Sequence, residues 1–284
     1  MKSLIREMTI KSFGLDTLIS NYQKETADLR NEISSLRREL DRAKGQLAPV
    51  QSTLRAMDLF CVADQVIEAP SPPVSQIIRD ALEKSGYETV ELYLASQIIR
   101  PGDTVLDMGS GLGLSAIAAA KATKHGRVVG YEADPEIALI AQKNIQRNGV
   151  NVELRNNAIS REAGQIEFFI SQDFLANSKF PVENSRKVLV HAASFQDAVN
   201  EIKPDVITCD IEGVEGEIFE NADLSTVKCI IIETHPQFLG DDGVEKCIQQ
   251  LATLGLKLVP ELTWGPIIVC DRDGYASSVK PFIL

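Results

Sequence analysis

The stretch Asp107-Met108-Gly109-Ser110-Gly111-Leu112-Gly113 decides the fold. It ends a short apolar run at residues 104–107, and residues 114–123, which follow immediately, have the composition of a helix. Glycine lets the backbone turn sharply and approach a ligand, and the start of a helix offers unpaired N–H donors. The stretch therefore predicts a strand, a ligand-binding turn and a helix in succession.

Strand-like and helical runs alternate on both sides of this turn. The predicted strands are 104–107, 127–132, 152–156, 165–170, 205–210 and 228–233, and the clearest helices between them are 114–123 and 135–148. Such alternation predicts an α/β fold, a mostly parallel Rossmann-like sheet with helices on both faces. The last two runs, 256–261 and 266–270, have only a short connection and predict a terminal antiparallel hairpin.

The glycine spacing indicates which ligand the turn binds. A dinucleotide fingerprint reads G-x-G-x-x-G, but the sixth position counted from Gly109 is Leu114. Asp107 would repel a pyrophosphate, whereas it would attract the amino group in the methionine part of S-adenosylmethionine. Glu132, at the end of the second strand and 21 residues after Gly111, can accept hydrogen bonds from both ribose hydroxyls. We therefore predict S-adenosylmethionine as cofactor, with an NAD-dependent oxidoreductase as the alternative.

The predicted cofactor site continues along the edge where the strands end. Asn157 and Ala158 follow the third strand and are placed to meet the adenine, while Asp210 should face the sulfonium. The complete predicted set is Asp107, Gly109, Ser110, Gly111, Gly113, Glu132, Asn157, Ala158 and Asp210.

Composition and charge limit the partners. The chain has 284 residues, 29 Lys plus Arg, 40 Asp plus Glu and a net charge of −11. Residues 61–284 are the acidic part, which argues against a nucleic-acid partner. No apolar run approaches the ~20 residues that span a bilayer, and none of the five cysteines has C-x-x-C spacing. We expect a cytoplasmic protein with reduced thiols and without a transmembrane segment.

Residues 15–43 carry a seven-residue repeat typical of a coiled coil. The two seam positions contain Ile19, Thr26, Ile33 and Leu40, and Leu15, Tyr22, Leu29, Leu36 and Ala43. The flanking positions pair Glu25, Glu32 and Glu39 with Arg30, Arg37 and Lys44. Opposite charges at these positions predict a parallel homo-oligomer, and the mixed seam leaves dimer and trimer open.

The domain boundaries are predicted from the end of this pattern. The apolar spacing continues past Gly45 and Pro49 to Cys61, which predicts a kink and a second helix. A proline-rich stretch at 69–73 predicts a stiff linker. The expected organisation is a helical coiled-coil region at 1–68, a linker and lead-in helix at 69–87, and a catalytic domain at 88–284.

Four motifs carry a resemblance to a known family. They are 101–109 (PGDTVLDMG), 157–160 (NAIS) with Gly164, 210–215 (DIEGVE) and 231–235 (IIETH). Together they make residues from about 88 to 270 resemble class I S-adenosylmethionine-dependent methyltransferases, specifically the FkbM family. The resemblance implies a seven-stranded sheet with a reversed last strand and methyl transfer to an oxygen, often of a sugar. Two positions depart from that family: Gly109-Ser110-Gly111 replaces its Gly-Ala-Asn, and Thr208 replaces a frequent lysine.

The residues predicted to carry the chemistry follow the fourth and fifth parallel strands. His235 is the first choice as general base, Glu212 either orients the acceptor, acts as base or holds the turn, and Asp210 serves both cofactor and catalysis. Because Asp210 and Glu212 lack a third carboxylate at convincing spacing, no metal is predicted. The expected activity is O-methylation of a hydroxyl on a small molecule or glycan. A non-catalytic, cofactor-binding scaffold is the further alternative.

Overall fold

The computed structural model describes residues 24–26, 28–36, 38–39, 42–43, 45, 48–84, 86–171 and 185–282. The chain divides into two compact units, Met1–Leu54 and Arg55–Leu284.

The described residues of the first unit are helical. Within them, the seam side chains Leu29, Ile33 and Leu36 are 54%, 49% and 57% exposed. Six of the predicted seam and flanking residues lie outside the described residues: Leu15, Ile19, Tyr22, Arg37, Leu40 and Lys44. The coiled coil therefore stays a prediction.

The second unit is built on a mixed sheet of seven strands. In chain order these are β3 (Val105–Met108), β4 (Val128–Tyr131), β5 (Glu153–Arg155), β9 (Val206–Cys209), β10 (Cys229–Glu233), β11 (Lys257–Leu258) and β12 (Ile267–Asp271). Their spatial order is β11-β12-β10-β9-β3-β4-β5, and β12 is antiparallel to both of its neighbours. The predicted Rossmann-like sheet with a reversed last strand is confirmed.

Helices cover both faces of this sheet. They are α1 (Gln76–Glu83), α2 (Thr89–Ile98), α3 (Leu114–Thr123), α4 (Pro135–Arg147), α5 (Phe195–Ile202), α6 (Glu215–Ile218) and α7 (Pro236–Thr253). Successive strand residues point to opposite faces, so Val105 belongs to the core under α1–α4 and Leu106 to the core under α5–α7. Two covered faces explain why every residue of β3, β4 and β9 is buried and why these strands are mostly apolar.

A second, three-stranded sheet lies beside the first, in the order β6-β8-β7. Its strands are β6 (Ala158–Ser160), β7 (Gly164–Ile170) and β8 (Arg186–Ser194). The sequence pattern predicts β7 but not β8, which contains His191. Much of β8 is exposed, so it lacks the continuous apolar run that identifies the buried strands.

The helix predicted to continue through Cys61 is wrong. Helical residues end at Ala56, and β1 (Leu59–Val62) and β2 (Gln65–Glu68) form an antiparallel hairpin. Asn144 of α4 holds this hairpin: its Oδ1 accepts from the Glu68 N–H at 2.7 Å, and its Nδ2 donates to the Leu112 carbonyl at 2.9 Å. Apolar residues at Met57 and Cys61 fit a helical spacing by chance, and the tertiary contact decides against it.

The proline-rich stretch 69–73 is also part of the second unit. Ala69 at its start and Val74 just after it are both 0% exposed. Ser71 and Pro72 in its middle are exposed, but Ala69 and Val74 belong to the core. The compact unit begins at Arg55, before the predicted boundary at 69. Among the described residues, no helix is both long and apolar enough to cross a membrane.

Candidate active site

A cleft of about 750 Å³ opens where the parallel strands end. β3 lies between β4 and β9, so the chain order reverses at β3, and open α/β sheets bind ligands at such a point. The lining residues are Tyr87, Glu88, Gly109, Gly111, Tyr131, Glu132, Ala133, Asn157, Ala158, Ile159, Ile166, Phe168, Asp210, Ile211, Glu212 and Val214. The lining combines apolar side chains with a few polar groups, the mixture expected of a small-molecule or cofactor site.

Gly109 is the point where the two walls of the cleft meet. Its φ is +79°, and a Cβ built on it would lie 1.7 Å from the carbonyl oxygen of Asp210. Its N–H donates to the Tyr131 carbonyl at 2.9 Å. Only glycine fits a backbone enclosed in this way, so the loop is held against both β4 and the end of β9.

Asp107 holds the glycine loop from below. It is 1% exposed, and its carboxylate accepts from the hydroxyls of Ser110 and Thr208, each at 2.5 Å. Burial raises the pKa of Asp107, although these hydroxyls act in the opposite direction. Thr208, where the FkbM family often has lysine, thus helps to hold Asp107 in place beneath the glycine loop.

Three predicted cofactor residues do not line the main cleft. Asp107 and Ser110 hydrogen-bond to each other and are buried beneath the loop. Gly113 precedes α3 and donates its N–H to the Ser110 carbonyl at 2.6 Å. All three shape the loop; only Asp107 also reaches a smaller neighbouring cavity of about 420 Å³.

Glu132 lines the cleft on the β4 side. One carboxylate oxygen accepts the Gly111 N–H at 2.8 Å and the other accepts the Asp134 N–H at 2.8 Å. Burial raises the pKa of Glu132 to about 7, although these N–H groups lower it. A carboxylate oxygen can accept two hydrogen bonds, so each oxygen keeps capacity for a ligand hydroxyl.

The turn after β5 completes this wall. Asn157 and Ala158 line the cleft as predicted. The neighbouring Asn156 fixes the turn, because its Nδ2 donates to the Glu132 carbonyl at 2.8 Å. Ile166 and Phe168 of β7 supply an apolar part that the sequence pattern did not identify.

The opposite wall consists of carboxylates around one histidine. Nε2 of His235 lies 3.4 Å from Oδ1 of Asp210 and 3.3 Å from Oε2 of Glu212. Nδ1 of the same ring lies 2.8 Å from Oε1 of Glu215. Asp210 and Glu212 line the cleft, whereas His235 lies behind them and is 4% exposed. Glu212 has a left-handed backbone with φ +52°, the kind of strained residue found at functional sites.

Carboxylates so close together resist ionisation. Burial raises the pKa of Glu212 to about 7, partly offset by His235. Burial, followed by the charges of Glu233 and Glu212, raises the pKa of Asp210 well above its ordinary range. Burial alone would lower the pKa of His235, but the hydrogen bond to Glu215 and the charge of Glu212 raise it overall. Proton acceptors near neutrality are what general base catalysis requires.

The smaller cavity extends this acidic region. It shares Glu88, Gly109 and Asp210 with the main cleft and adds Glu91 and Glu233. Burial, with the charge of Glu233 acting in the same direction, raises the pKa of Glu91 to about 7. The whole region therefore favours a cationic or N–H-bearing ligand.

Three of these groups could also hold a metal ion. Asp210, Glu233 and His235 each offer a ligand atom within 4.8 Å of the other two. The expectation that no metal binds therefore stays a prediction.

Sequence reasoning missed several site residues. Glu215 belongs to the 210–215 motif, but the sequence assigns it no role, and it assigns none to Tyr87, Glu88 or Glu91. Glu88 comes from the start of α2, far from the glycine loop in sequence, and only packing brings it there. Its backbone is left-handed at φ +51°, which no sequence pattern reveals.

Comparison with known proteins matches part of the chain. Residues 88–175 match the family model described as ribosomal protein L11 methyltransferase (PrmA). The ribosomal protein L11 methyltransferase of Chloroflexus aurantiacus is 38% identical over 84 residues, covering 29% of this chain and 25% of the relative. The release factor glutamine methyltransferase of Geobacter sulfurreducens is 28% identical over 163 residues, covering 55% and 51%. The chain thus spans a quarter to a half of these relatives.

A solved structure is also similar. TYW2 of M. jannaschii, in complex with AdoMet, has a TM-score of 0.42 and 14% identity over 75% of this chain and 84% of that chain.

These matches correct one prediction and support others. The matching relatives are named for protein substrates, so the predicted small-molecule or glycan acceptor is wrong. The predicted cofactor, S-adenosylmethionine, is confirmed, whereas the FkbM family is not what the matches show. Over residues 88–175, the chain is similar to class I S-adenosylmethionine-dependent methyltransferases of the PrmA type.

Proposed function

We propose that this chain is an S-adenosylmethionine-dependent methyltransferase that methylates a side-chain nitrogen of a protein. The observation that carries the proposal is the match of residues 88–175, the segment that contains Gly109, Gly111 and Glu132. These residues form one wall of a cleft whose other wall carries Asp210 and Glu212. A cofactor wall facing a proton-accepting wall is the arrangement that methyl transfer needs.

The first wall fits the cofactor. Glu132 offers carboxylate oxygens for the ribose hydroxyls, the Gly109–Gly111 backbone allows close approach, and Asn157 with Ala158 borders the adenine. The carboxylate of Asp210 favours the positive charge of the sulfonium. Aligning the acceptor in this cleft contributes about 7–11 kcal/mol to lowering the barrier.

When bound, S-adenosylmethionine supplies the methyl group: the acceptor nitrogen forms the new bond to its carbon, and the carbon–sulfur bond breaks with both electrons going to sulfur. The methylated nitrogen then carries a surplus proton. Glu212, which lines the cleft, takes that proton together with His235 behind it, 3.3 Å away. Because Glu212 has a pKa of about 7, it accepts a proton readily near neutral pH.

The acceptor class follows from two facts. The relatives are named for ribosomal protein L11 and for a release factor glutamine. The cleft adjoins an acidic region formed by Glu88, Glu91 and Glu233, which suits a group that carries N–H bonds or positive charge. We call Asp210 and Glu212, with His235 behind them, the acceptor wall. The resemblance of residues 210–235 to the FkbM family bears only on this wall and stays a proposal.

We also propose that the first unit assembles identical chains through a parallel coiled coil. Leu29, Ile33 and Leu36 are about half exposed, and an apolar helix stripe requires a partner to bury it. Ile33→Asp should lower the oligomeric state measured by sedimentation, whereas Ser34→Asp, on the adjacent exposed position, should leave it unchanged. Monomeric wild-type protein would contradict the assembly.

Labelled cofactor tests the function. Incubation of the protein with methyl-labelled S-adenosylmethionine and fractionated host extract should place the label in protease-sensitive material. Calorimetry should show binding of S-adenosylmethionine and S-adenosylhomocysteine, and no binding of NAD. Label confined to glycans or lipids would overturn the acceptor class, and absence of binding by both sulfur compounds would overturn the methyltransferase.

A further inference from the structure

Glu215 is the most deeply buried acidic side chain of the acceptor wall. It begins α6, is 0% exposed and lies outside the lining of both cavities. Its Oε1 lies 2.8 Å from Nδ1 of His235 and accepts the Gly213 N–H at 3.2 Å. Its Oε2 has no hydrogen-bond partner among the residues that the structure describes. A buried carboxylate is costly unless it is paired, so a purely structural residue here would more simply be apolar.

The ring of His235 connects Glu215 to the cleft. Nδ1 faces Glu215, and the opposite nitrogen, Nε2, faces Asp210 and Glu212 at 3.4 and 3.3 Å. The charged groups that face this histidine from the β9–α6 turn, α6 and β10 are Asp210, Glu212, Glu215 and Glu233. Among the described residues, no Lys or Arg forms an ion pair with these four.

We propose that Glu215 is a positioning residue: by accepting the Nδ1–H of His235, it fixes the ring tautomer and leaves Nε2 to receive a proton from Glu212. The proton transfer in this proposal rests on the proposed methyl transfer, whereas the hydrogen bond that sets the tautomer does not depend on it. The proton that the acceptor nitrogen gives to Glu212 moves on to Nε2, so Glu212 returns to its carboxylate form. His235 then gives the proton to solvent after the product leaves.

The physical reason is the inequivalence of the two ring nitrogens. In a neutral imidazole one nitrogen donates and the other accepts, and the hydrogen bond at one decides the state of the other. If Nε2 carried the hydrogen in the neutral ring, it could not receive a proton from Glu212. A carboxylate at Nδ1 also stabilises the imidazolium that forms afterwards, the role seen for the acid in hydrolase triads.

Histidine ring NMR tests the tautomer without any activity. The chain has only three histidines, so His125 and His191 serve as internal references. Spectra are recorded in EDTA at a pH where the rings are neutral. We expect the wild-type His235 ring to be protonated at Nδ1. Glu215→Met keeps the side-chain length but removes the acceptor, so the ring should switch to the Nε2–H tautomer, whereas Glu215→Gln keeps an acceptor and should retain Nδ1–H.

Kinetics supplies the second readout. Glu215→Met should lower kcat by about 10²-fold while the Kd for S-adenosylmethionine changes less than about threefold, and Glu215→Gln should recover most of kcat. Glu217→Met, an exposed position on the same helix, is the matched control and should behave as wild type. An Nε2–H ring in the wild type, or an unchanged tautomer in Glu215→Met, would overturn the proposal.

The two proposals fail separately. If S-adenosylmethionine does not bind but the tautomer follows residue 215 as expected, the methyltransferase is wrong and the positioning role of Glu215 stands. If the cofactor binds and the methyl group is transferred but the tautomer ignores residue 215, only the positioning role fails. Should Glu215→Met not fold, the wild-type tautomer and the Glu215→Gln kinetics still decide the question.

Discussion

The two walls of the cleft solve different problems with different groups. The cofactor wall is made mostly of backbone: a loop whose N–H groups bond to Tyr131 and Glu132, glycines that allow close approach, and one carboxylate, Glu132, already bonded to Gly111 and Asp134. The acceptor wall is made of side chains: Nε2 of His235 lies 3.4 Å from a carboxylate oxygen of Asp210 and 3.3 Å from one of Glu212. The first wall acts through the shape of its backbone, whereas the second acts through side chains that can gain or lose a proton.

This difference predicts how substitutions in each wall behave. A change in backbone geometry affects the whole loop, because a displaced loop loses its hydrogen bonds to Tyr131 and Glu132 together. Side-chain chemistry fails one step at a time, since each carboxylate can be neutralised while the shape is kept. We therefore expect changes in the cofactor wall to alter affinity and folding, and changes in the acceptor wall to alter turnover.

The largest effect should come from Gly109→Ala, where the walls touch. Its Cβ would lie 1.7 Å from the Asp210 carbonyl on a backbone with φ +79°. We expect a loss of about 2–5 kcal/mol in the free energy of unfolding and loss of cofactor binding, measured by denaturant unfolding and calorimetry. Gly149→Ala is the control: φ is +65° but nothing lies within 4 Å, so only about 1–2 kcal/mol should be lost.

Glu212→Gln should separate turnover from binding. The amide keeps the shape of the side chain but cannot take a proton, so kcat should fall by about 10²–10⁴-fold. The Kd for S-adenosylmethionine should change only slightly, as measured by calorimetry beside a labelled-methyl assay. A variant with full turnover would mean that another group accepts the proton. Glu217→Gln, exposed on α6, is the matched control.

Glu132→Gln should produce the opposite pattern. Loss of hydrogen bonds from ligand hydroxyls to a charged group should raise the Kd for S-adenosylmethionine about tenfold to a hundredfold, with a smaller effect on kcat at saturating cofactor. Glu136→Gln, exposed in the first turn of α4, should leave the Kd unchanged. Equal Kd values for Glu132→Gln and wild type would refute the ribose assignment.

The smallest effect is the pH dependence of cofactor affinity. With a pKa of about 7, Glu132 is a carboxylate above neutrality and protonated below it, so affinity should be full at high pH and fall as pH drops through 7. The Kd should rise by up to about tenfold per pH unit. Calorimetry between pH 6 and 8 should therefore give a shallower slope in Glu132→Gln. Stronger binding at low pH would contradict this assignment.

How far the sequence predicted the site differed between the walls. Gly109, Gly111, Glu132 and Asn157 were identified by spacing because they are close along the chain and each follows a recognisable strand. The roles on the acceptor wall came largely from the resemblance, and the sugar-like acceptor it implied was wrong. Residue types and their spacing predict a turn well. They do not predict which partners several carboxylates will contact, because many pairings are possible.

The sequence alone determined the sheet and its ligand-binding edge, because strand hydrophobicity, helix spacing and glycine turns are local properties. It could not determine that 59–68 would pair as a hairpin held by Asn144, or that the carboxylate of Asp107 would accept hydrogen bonds from both Ser110 and Thr208. Nor could it show that Glu215 would lie behind His235. Those outcomes depend on which side chains from distant segments compete for the same buried space and hydrogen bonds, and only the tertiary structure decides that competition.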